Sequence, residues 1–261
     1  MAWGSRDKRS LVMDALATQP ARAGELAVEE VPHLRIPGVI ARDLGVRIVS
    51  GSLRAGCVLE SEAEASARLK VSRAAYREAI RILIAKGMVR SRPKTGTSIS
   101  DRSEWHLLDP DVLSWIFQSE PDYDLICRLF ELRKMIEPAA AALAAERRTS
   151  RHLKAMASAL GAMRMAKTVD KEWRDADEQF HAELLDASSN MFLVSLTASI
   201  NTAMSWSTIY KQRDGPLKRD PVPDHKRVYQ AIASSDPVAA REAMTRLVDL
   251  ALSDIRAALK P

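Results

Sequence analysis

The sequence predicts a mostly α chain in which an N-terminal winged helix-turn-helix precedes a C-terminal all-α helical bundle. Three observations carry this. Helix caps and stops between Glu60 and Ser100 mark out two short helices and a hairpin. Basic charge gathers on the same stretch: residues 37–100 hold twelve Lys and Arg against five Asp and Glu, a local +7 in a chain whose formal total is +5. Beyond Pro121 the apolar residues recur at helical spacing, with almost no β-branched alternation.

Composition bounds the rest. A chain of 261 residues is long enough for two domains that each bury a core. With 46% hydrophobic and 28% charged residues it reads as soluble and globular. No apolar run approaches the roughly 20 residues of a membrane span. Arg6, Asp7, Lys8 and Arg9 lead into an amphipathic stretch, not a secretory core, so a cytoplasmic location is expected. Cys57 and Cys127, the two cysteines, lack metal spacing and suit a reducing compartment.

In chain order, residues 1–36 form an N-terminal extension. Leu11, Val12, Ala15 and Leu16 suggest a short helix, and the rest suggests a flexible arm, with DNA contact through Arg6, Lys8 and Arg9 as the alternative. The winged helix-turn-helix occupies 37–100. Val39, Ile40, Leu44, Ile48 and Val49 share one face of a first helix over 37–52. Ser61 with Glu64 is a capping box that starts the second helix. After the break at Lys70 and Val71, Ser72 caps a third helix that carries Ala75, Ala79, Ile80, Leu83 and Ile84 to a stop at Gly87. Strands Met88–Ser91 and Thr97–Ser100 flank a charged turn containing Pro93 and Gly96. In this arrangement Ser72, Arg73, Tyr76 and Arg77 occupy the first turn and a half of a helix entering the major groove. Arg92, Lys94, Thr95 and Gly96 form a wing that reaches phosphates or the minor groove.

Residues 101–120 read as a linker and docking helix. Asp109-Pro110 restarts the helix, and Val112, Leu113, Trp115, Ile116 and Phe117 must dock between domains or on a partner subunit to be buried. Residues 121–261 form the helical domain. Leu125, Leu129, Leu132, Ile136, Ala140 and Leu143 mark a long helix to about Arg148, followed by helices over 153–165, 171–187, 193–210, 221–233 and 237–259. Their short connections imply an antiparallel bundle, which can hold a central pocket. Asp177 and His181 share a helix face, and His225 lies two helices on. Together they suit zinc, nickel or manganese, or a hydrogen-bonded polar ligand, while Arg133 can hold a carboxylate. Trp206 and Tyr210, on the helix between them, suit an aromatic wall of that pocket; buried core histidines and, for the two aromatics, plain core packing are the alternatives.

The pattern of Leu59, Ser61-Glu62, Val71-Ser72-Arg73, Arg77-Glu78-Ala79, Leu83, Gly87 and Gly96-Thr97 resembles the winged helix-turn-helix of GntR-family bacterial transcription regulators. It departs at Glu60, where the family usually has proline, and at Ala63, where some members have a DNA-contacting arginine. Glu131-x-Arg133, Glu137-Pro138-Ala139, Asp177-x-x-Phe180-His181, Asn190, His225, Ala231-Ile232 and Ala239-Ala240-Arg241 resemble the FCD ligand-binding domain of the FadR-type subgroup. That resemblance implies a small organic or sugar acid as effector, often beside a metal held by one aspartate and three histidines. Asp177, His181 and His225 match three of those positions, and Leu247 stands at the fourth. The run Trp105, Leu107-Leu108-Asp109-x-Asp111-Val112-Leu113-x-Trp115 is similar to that of members governing sugar-acid operons and implies an effector such as galactonate. A homodimer on a palindromic DNA operator, repressing until the acid binds, is the expectation. A metal-dependent enzyme and an effector-independent DNA-binding protein are the alternatives.

Overall fold

A computed structural model describes residues 35–119, 123–166, 171–212 and 219–258. The readings made on residues 1–34 lie outside the described residues. The chain divides into two compact units, residues 1–120 and 121–261.

In the N-terminal unit, α1 (Ile36–Val49) carries Pro37 in its first turn and buries Ile40, Ala41, Leu44, Gly45 and Ile48. Two further helices, α2 (Glu62–Leu69) and α3 (Arg73–Ala85), are the helix-turn-helix. The capping box of α2 is formed at both ends: Ser61 N–H donates to Glu64 Oε2 at 3.0 Å, and Glu64 N–H to Ser61 Oγ at 3.3 Å. Ser72 Oγ accepts from Ala75 N–H at 3.1 Å at the start of α3. Each such cap is worth about 1 kcal/mol. Between them Lys70 takes the left-handed conformation, φ 53°, and turns the chain. Gly87, φ 72°, ends the unit's third helix where a Cβ would lie 2.1 Å from the Glu104 carbonyl oxygen, so only glycine fits.

Strands β1 (Val89–Arg92) and β2 (Gly96–Ile99) pair antiparallel with Val89 opposite Ile99, one residue displaced from the sequence expectation at the turn. The hairpin is backed by a segment that periodicity did not reveal: Val58 bridges Ser98, and Leu59 N–H donates to the Thr97 carbonyl at 2.8 Å. The supposed linker contains a 3-10 turn over Arg102–Glu104.

Helix α4 (Pro110–Gln118) corrects the docking expectation, because it packs on α1 inside the same unit. Asp109 caps it through the amides of Asp111 and Val112, at 2.9 and 3.2 Å. Lys86 Nζ reaches Asp109 at 2.7 Å and Asp111 at 2.8 Å, and Arg42 donates twice to Gln118 Oε1, at 2.8 and 3.2 Å. The indole of Trp115 lies directly over Gly45, where a Cβ would meet it at 2.2 Å. The apolar side chains thus find cover on the nearest helix, and no partner is needed to bury them.

The C-terminal unit comprises α5 (Tyr123–Arg147), α6 (Ser150–Met165), α7 (Lys171–Ala187), α8 (Met191–Val194), α9 (Thr197–Lys211), α10 (Val222–Ala233) and α11 (Pro237–Ala258). The helix expected over 193–210 is two, and α8 has a cap of its own from Asn190 to the Phe192 amide at 3.1 Å. Along α5 the buried stripe is Ile126, Phe130, Arg133 and Glu137, one position round from the expected leucines, which are half-buried. Alanines 140–142, 144 and 145 are buried and let α11 and α7 approach the same helix. Arg148 fastens α5 to the end of α10 by donating to the carbonyls of Ile232 and Ala233, at 2.9 and 3.1 Å. Among the described residues no helix is long and apolar enough to cross a membrane. The contact at Gly45 yields a stability prediction. Gly45→Ala forces Trp115 off its seat and is expected to destabilise the N-terminal unit by about 1–3 kcal/mol, read as a lower midpoint in chemical unfolding.

Candidate functional site

The exposed basic surface of the N-terminal unit is built on α3 and the hairpin. Arg73 and Arg77 stand exposed on its first turns, and Arg92, Lys94, Thr95 and Gly96 are exposed at the hairpin tip. Lys94 and Gly96 hold φ of 68° and 82°, which folds the tip tightly. Ser72 spends its hydroxyl as the helix cap. Tyr76 corrects the sequence expectation: it is 3% exposed, its ring lies in the core, and its hydroxyl donates to the Glu60 carbonyl at 3.4 Å. The fourth helical position after Ser72 faces the same way as Ala79, Ile80 and Leu83, so an aromatic there is drawn inward and not toward bases. Arg77 is engaged by Glu62, with Nε at 2.9 Å and Nη2 at 2.7 Å from its two oxygens.

The second site lies inside the helical unit, where α7 and α10 bring Asp177, His181 and His225 together, all buried. Asp177 Oδ1 is 2.8 Å from His225 Nε2, His225 Nε2 is 3.3 Å from His181 Nε2, and His181 Nε2 is 3.9 Å from Asp177 Oδ1. Phe180 packs edge-on against both imidazoles, at centroid distances of 5.7 and 5.3 Å, and holds the rings in place.

The outer nitrogens decide what these rings can do. His225 Nδ1 lies 2.9 Å from the Pro221 carbonyl oxygen, which can only accept. His181 Nδ1 lies 3.1 Å from Glu137 Oε2. That approach is an ion-pair distance whose alignment falls short of a full hydrogen bond. With the protons assigned to both Nδ1 atoms, two Nε2 lone pairs and the Asp177 carboxylate converge with no hydrogen between them. Asp177 Oδ1 has no aligned donor despite its burial. Such a set calls for a cation. Two donors on one ion at about 2.1 Å sit roughly 3.0–3.4 Å apart, and the observed separations bracket that range. An outer carboxylate and an outer carbonyl are also the usual partners of metal-bound imidazoles. The donor set therefore fits a divalent ion. Among the described residues the cluster consists of these three side chains. Leu247, buried and without a lone pair, supplies no fourth donor.

Charge is balanced by neighbours that sequence reading left out of the site. Glu137 is 1% exposed and sits between Arg133, 2.6 Å from its Oε1, and His181. Burial opposes its ionisation, but the Arg133 and His181 interactions outweigh that and bring its pKa down to about 2. Asp177 is likewise penalised by burial, and is held below the ordinary carboxylate range by His225 and His181 when their rings take up a second proton, and by Lys211. Lys211, at the end of α9, is lowered to about 8 by desolvation, with the Asp177 charge opposing. It carried no sequence signal, because a lysine ending an apolar helix reads as an ordinary partner of the helix dipole. Arg133 is 4% exposed, lies 4.7 Å over the Phe130 ring, and keeps a buried Nη1 with no acceptor. Asp224, next to His225, is held by Arg219 and Arg227, and Arg219 also reaches Asp254 at 3.0 Å on α11.

Two family patterns cover these two sites. Residues 38–99 match the family of bacterial regulatory proteins named gntR, and residues 128–250 match the FCD domain. The galactonate operon transcriptional repressor of Escherichia coli is 32% identical, over 78% of this chain and 90% of the relative. The chain belongs to the GntR family of bacterial regulatory proteins, with an FCD domain. A second Escherichia coli relative of this GntR-family regulator, the uncharacterized HTH-type transcriptional regulator YieP, is 30% identical over 88% of this chain and 97% of its own. The solved structure of Lar, from Listeria monocytogenes, shares the fold at 18% identity with a TM-score of 0.56, over 87% of this chain and 99% of that one. The matched domains and relatives are DNA-binding transcription regulators and not enzymes. Within the regulator's FCD domain, Glu137→Gln would leave Arg133 as a buried charge without its counter-ion. The expected cost is about 3 kcal/mol or more, measured as lowered thermal stability in the presence of a chelator.

Proposed function

We propose that the protein is a homodimeric repressor in the bacterial cytoplasm that leaves a palindromic operator when a small organic acid binds inside its helical unit. A sugar acid such as galactonate is the first candidate, because a relative at 32% identity is the galactonate operon transcriptional repressor. The observation that carries the reading is the buried Nη1 of Arg133, which lacks an acceptor in a core that also holds three convergent metal-type donors. A buried guanidinium edge left open costs free energy unless an anion takes it, and a carboxylate fits it in a two-pronged bond.

In this reading Asp177, His181 and His225 hold a divalent ion, zinc, nickel or manganese, which when bound supplies positive charge for the oxygens of the acid. Arg133 orients the carboxylate, Glu137 fixes Arg133 and the His181 ring, and Lys211 adds a second cation near Asp177. Leu247 leaves one side of the donor set to the ligand or water, so the site is more open than one with four protein ligands. On DNA, Ser72 anchors the start of α3 while Arg73 and Arg77 face the major groove. Arg92, Lys94, Thr95 and Gly96 follow the backbone or minor groove. Acid binding shifts how the two heads are presented and lowers operator affinity by a coupling of about 1–3 kcal/mol.

The tests separate the two sites. Arg73→Ala is expected to abolish specific operator binding in a mobility-shift assay while the fold survives, and normal sequence preference would refute the placement of α3. Arg133→Ala should keep DNA binding and lose the response to the acid, and unchanged effector affinity by calorimetry would remove it from the pocket. A thermal-shift screen of sugar acids should raise the melting temperature for a true effector. For the ion, elemental analysis of untagged protein prepared without chelators should find close to one per chain, and Leu247→His should tighten its retention.

A further inference from the structure

The pair Glu62–Arg77 joins the starts of the two reading helices. Glu62 is the first residue of α2, whose backbone is set by the Ser61–Glu64 capping box, and Arg77 lies on α3, whose start is set by Ser72. Arg77 Nε donates to Glu62 Oε1 at 2.9 Å and Nη2 donates to Oε2 at 2.7 Å. Of the five guanidinium hydrogens, this uses the two on one edge and leaves the Nη1 hydrogens and one Nη2 hydrogen on the edge facing away from Glu62. The Arg77 hydrogen bond lowers the Glu62 pKa, and Glu62 in turn raises that of the guanidinium.

We propose that Glu62 is a positioning residue for base readout: it clamps one edge of the Arg77 guanidinium so that the other is presented to guanine O6 and N7. This rests on the reading that α3 enters the major groove. A guanidinium free to rotate about its long side chain must lose that freedom on binding, whereas one already held in plane keeps more of the energy of a bidentate guanine contact. The side chains are 54% and 40% exposed, so the pair adds little to folding stability. Its effect falls on discrimination between bases. The carboxylate also disfavours phosphate close by, which directs Arg77 toward base edges and away from the backbone.

The test compares Glu62→Ala, Arg77→Ala and the double variant in the full-length protein, using competition binding over a library of operator half-sites. Arg77→Ala should erase the preference for guanine at one symmetry-related position. Glu62→Ala should weaken preference at that same position by about tenfold while the other positions and the salt dependence hold. The double variant should match Arg77→Ala there, and Glu62→Gln, which keeps one acceptor oxygen, should retain more preference than Glu62→Ala. Unchanged preferences in Glu62→Ala, with Arg77→Ala still losing its position, would overturn the inference alone. A uniform gain in affinity across all sequences would also overturn it, reducing Glu62 to a repulsive charge near phosphate. If Arg77→Ala itself leaves every preference intact, the major-groove placement of Arg77 fails with it. Matching chemical unfolding midpoints identify the changes as changes in readout and not in folding.

Discussion

The helical unit depends on one deeply buried carboxylate, Glu137, which meets a polar group on each of its sides. Through one oxygen it holds Arg133 on the preceding turn of α5, and through the other it faces His181 on α7. A carboxylate this deep is costly to desolvate, and replacing a buried pair with apolar residues is often neutral or stabilising. Its presence is therefore better explained by what it positions than by stability. It fixes which edge of Arg133 stays open and which nitrogen of His181 keeps a lone pair.

The N-terminal unit solves a different problem with similar economy. A helix-turn-helix of this size has few core positions, and α4 enlarges the core by stacking Trp115 on Gly45 and extending Phe117 and Ile116 inward. Lys86 ties the end of α3 to the start of α4 through Asp109 and Asp111, and a buried ammonium with two carboxylates has little freedom to rearrange. The consequence is mechanical. The Lys86 contacts hold the end of α3 and the start of α4 together.

The elements most legible in the sequence were those with local signals. The caps at Ser61 and Ser72, the stop at Gly87 and the Asp109-Pro110 restart all act through atoms within a few residues, and each appears where its spacing put it. The faces of α4 and α5 were not legible, because which side of a helix is covered depends on the neighbour that arrives. On α5 the leucines outweigh Arg133 and Glu137 on any hydropathy scale, yet the polar pair is buried because His181 and the Phe130 ring receive it. The convergence of Asp177 and His181 could be read from a four-residue interval. The part played by Glu137 and Lys211 could not, since their distances to α7 in sequence carry no period. Tyr76 failed for the opposite reason: its place on the third helix was right, and only the rotation of that helix, set by packing on α1, turned it inward.

In the proposed reading, the lack of a fourth imidazole gives the triad its remaining property. Three donors that converge without a proton between them repel one another, and that repulsion is relieved in proportion to the charge brought among them. In a site with a fourth imidazole the protein would meet most of the ion's demand for ligands. In the proposed reading, with no fourth imidazole, that demand would pass to water or to oxygens of the acid, and the guanidinium edge of Arg133 would offer the same acid a second point of attachment. On the proposed reading, ion and acid are linked ligands, each binding more tightly in the presence of the other, because each satisfies atoms that the other leaves exposed. A site with three protein donors would thus couple metal occupancy to effector binding more closely than a closed four-ligand site.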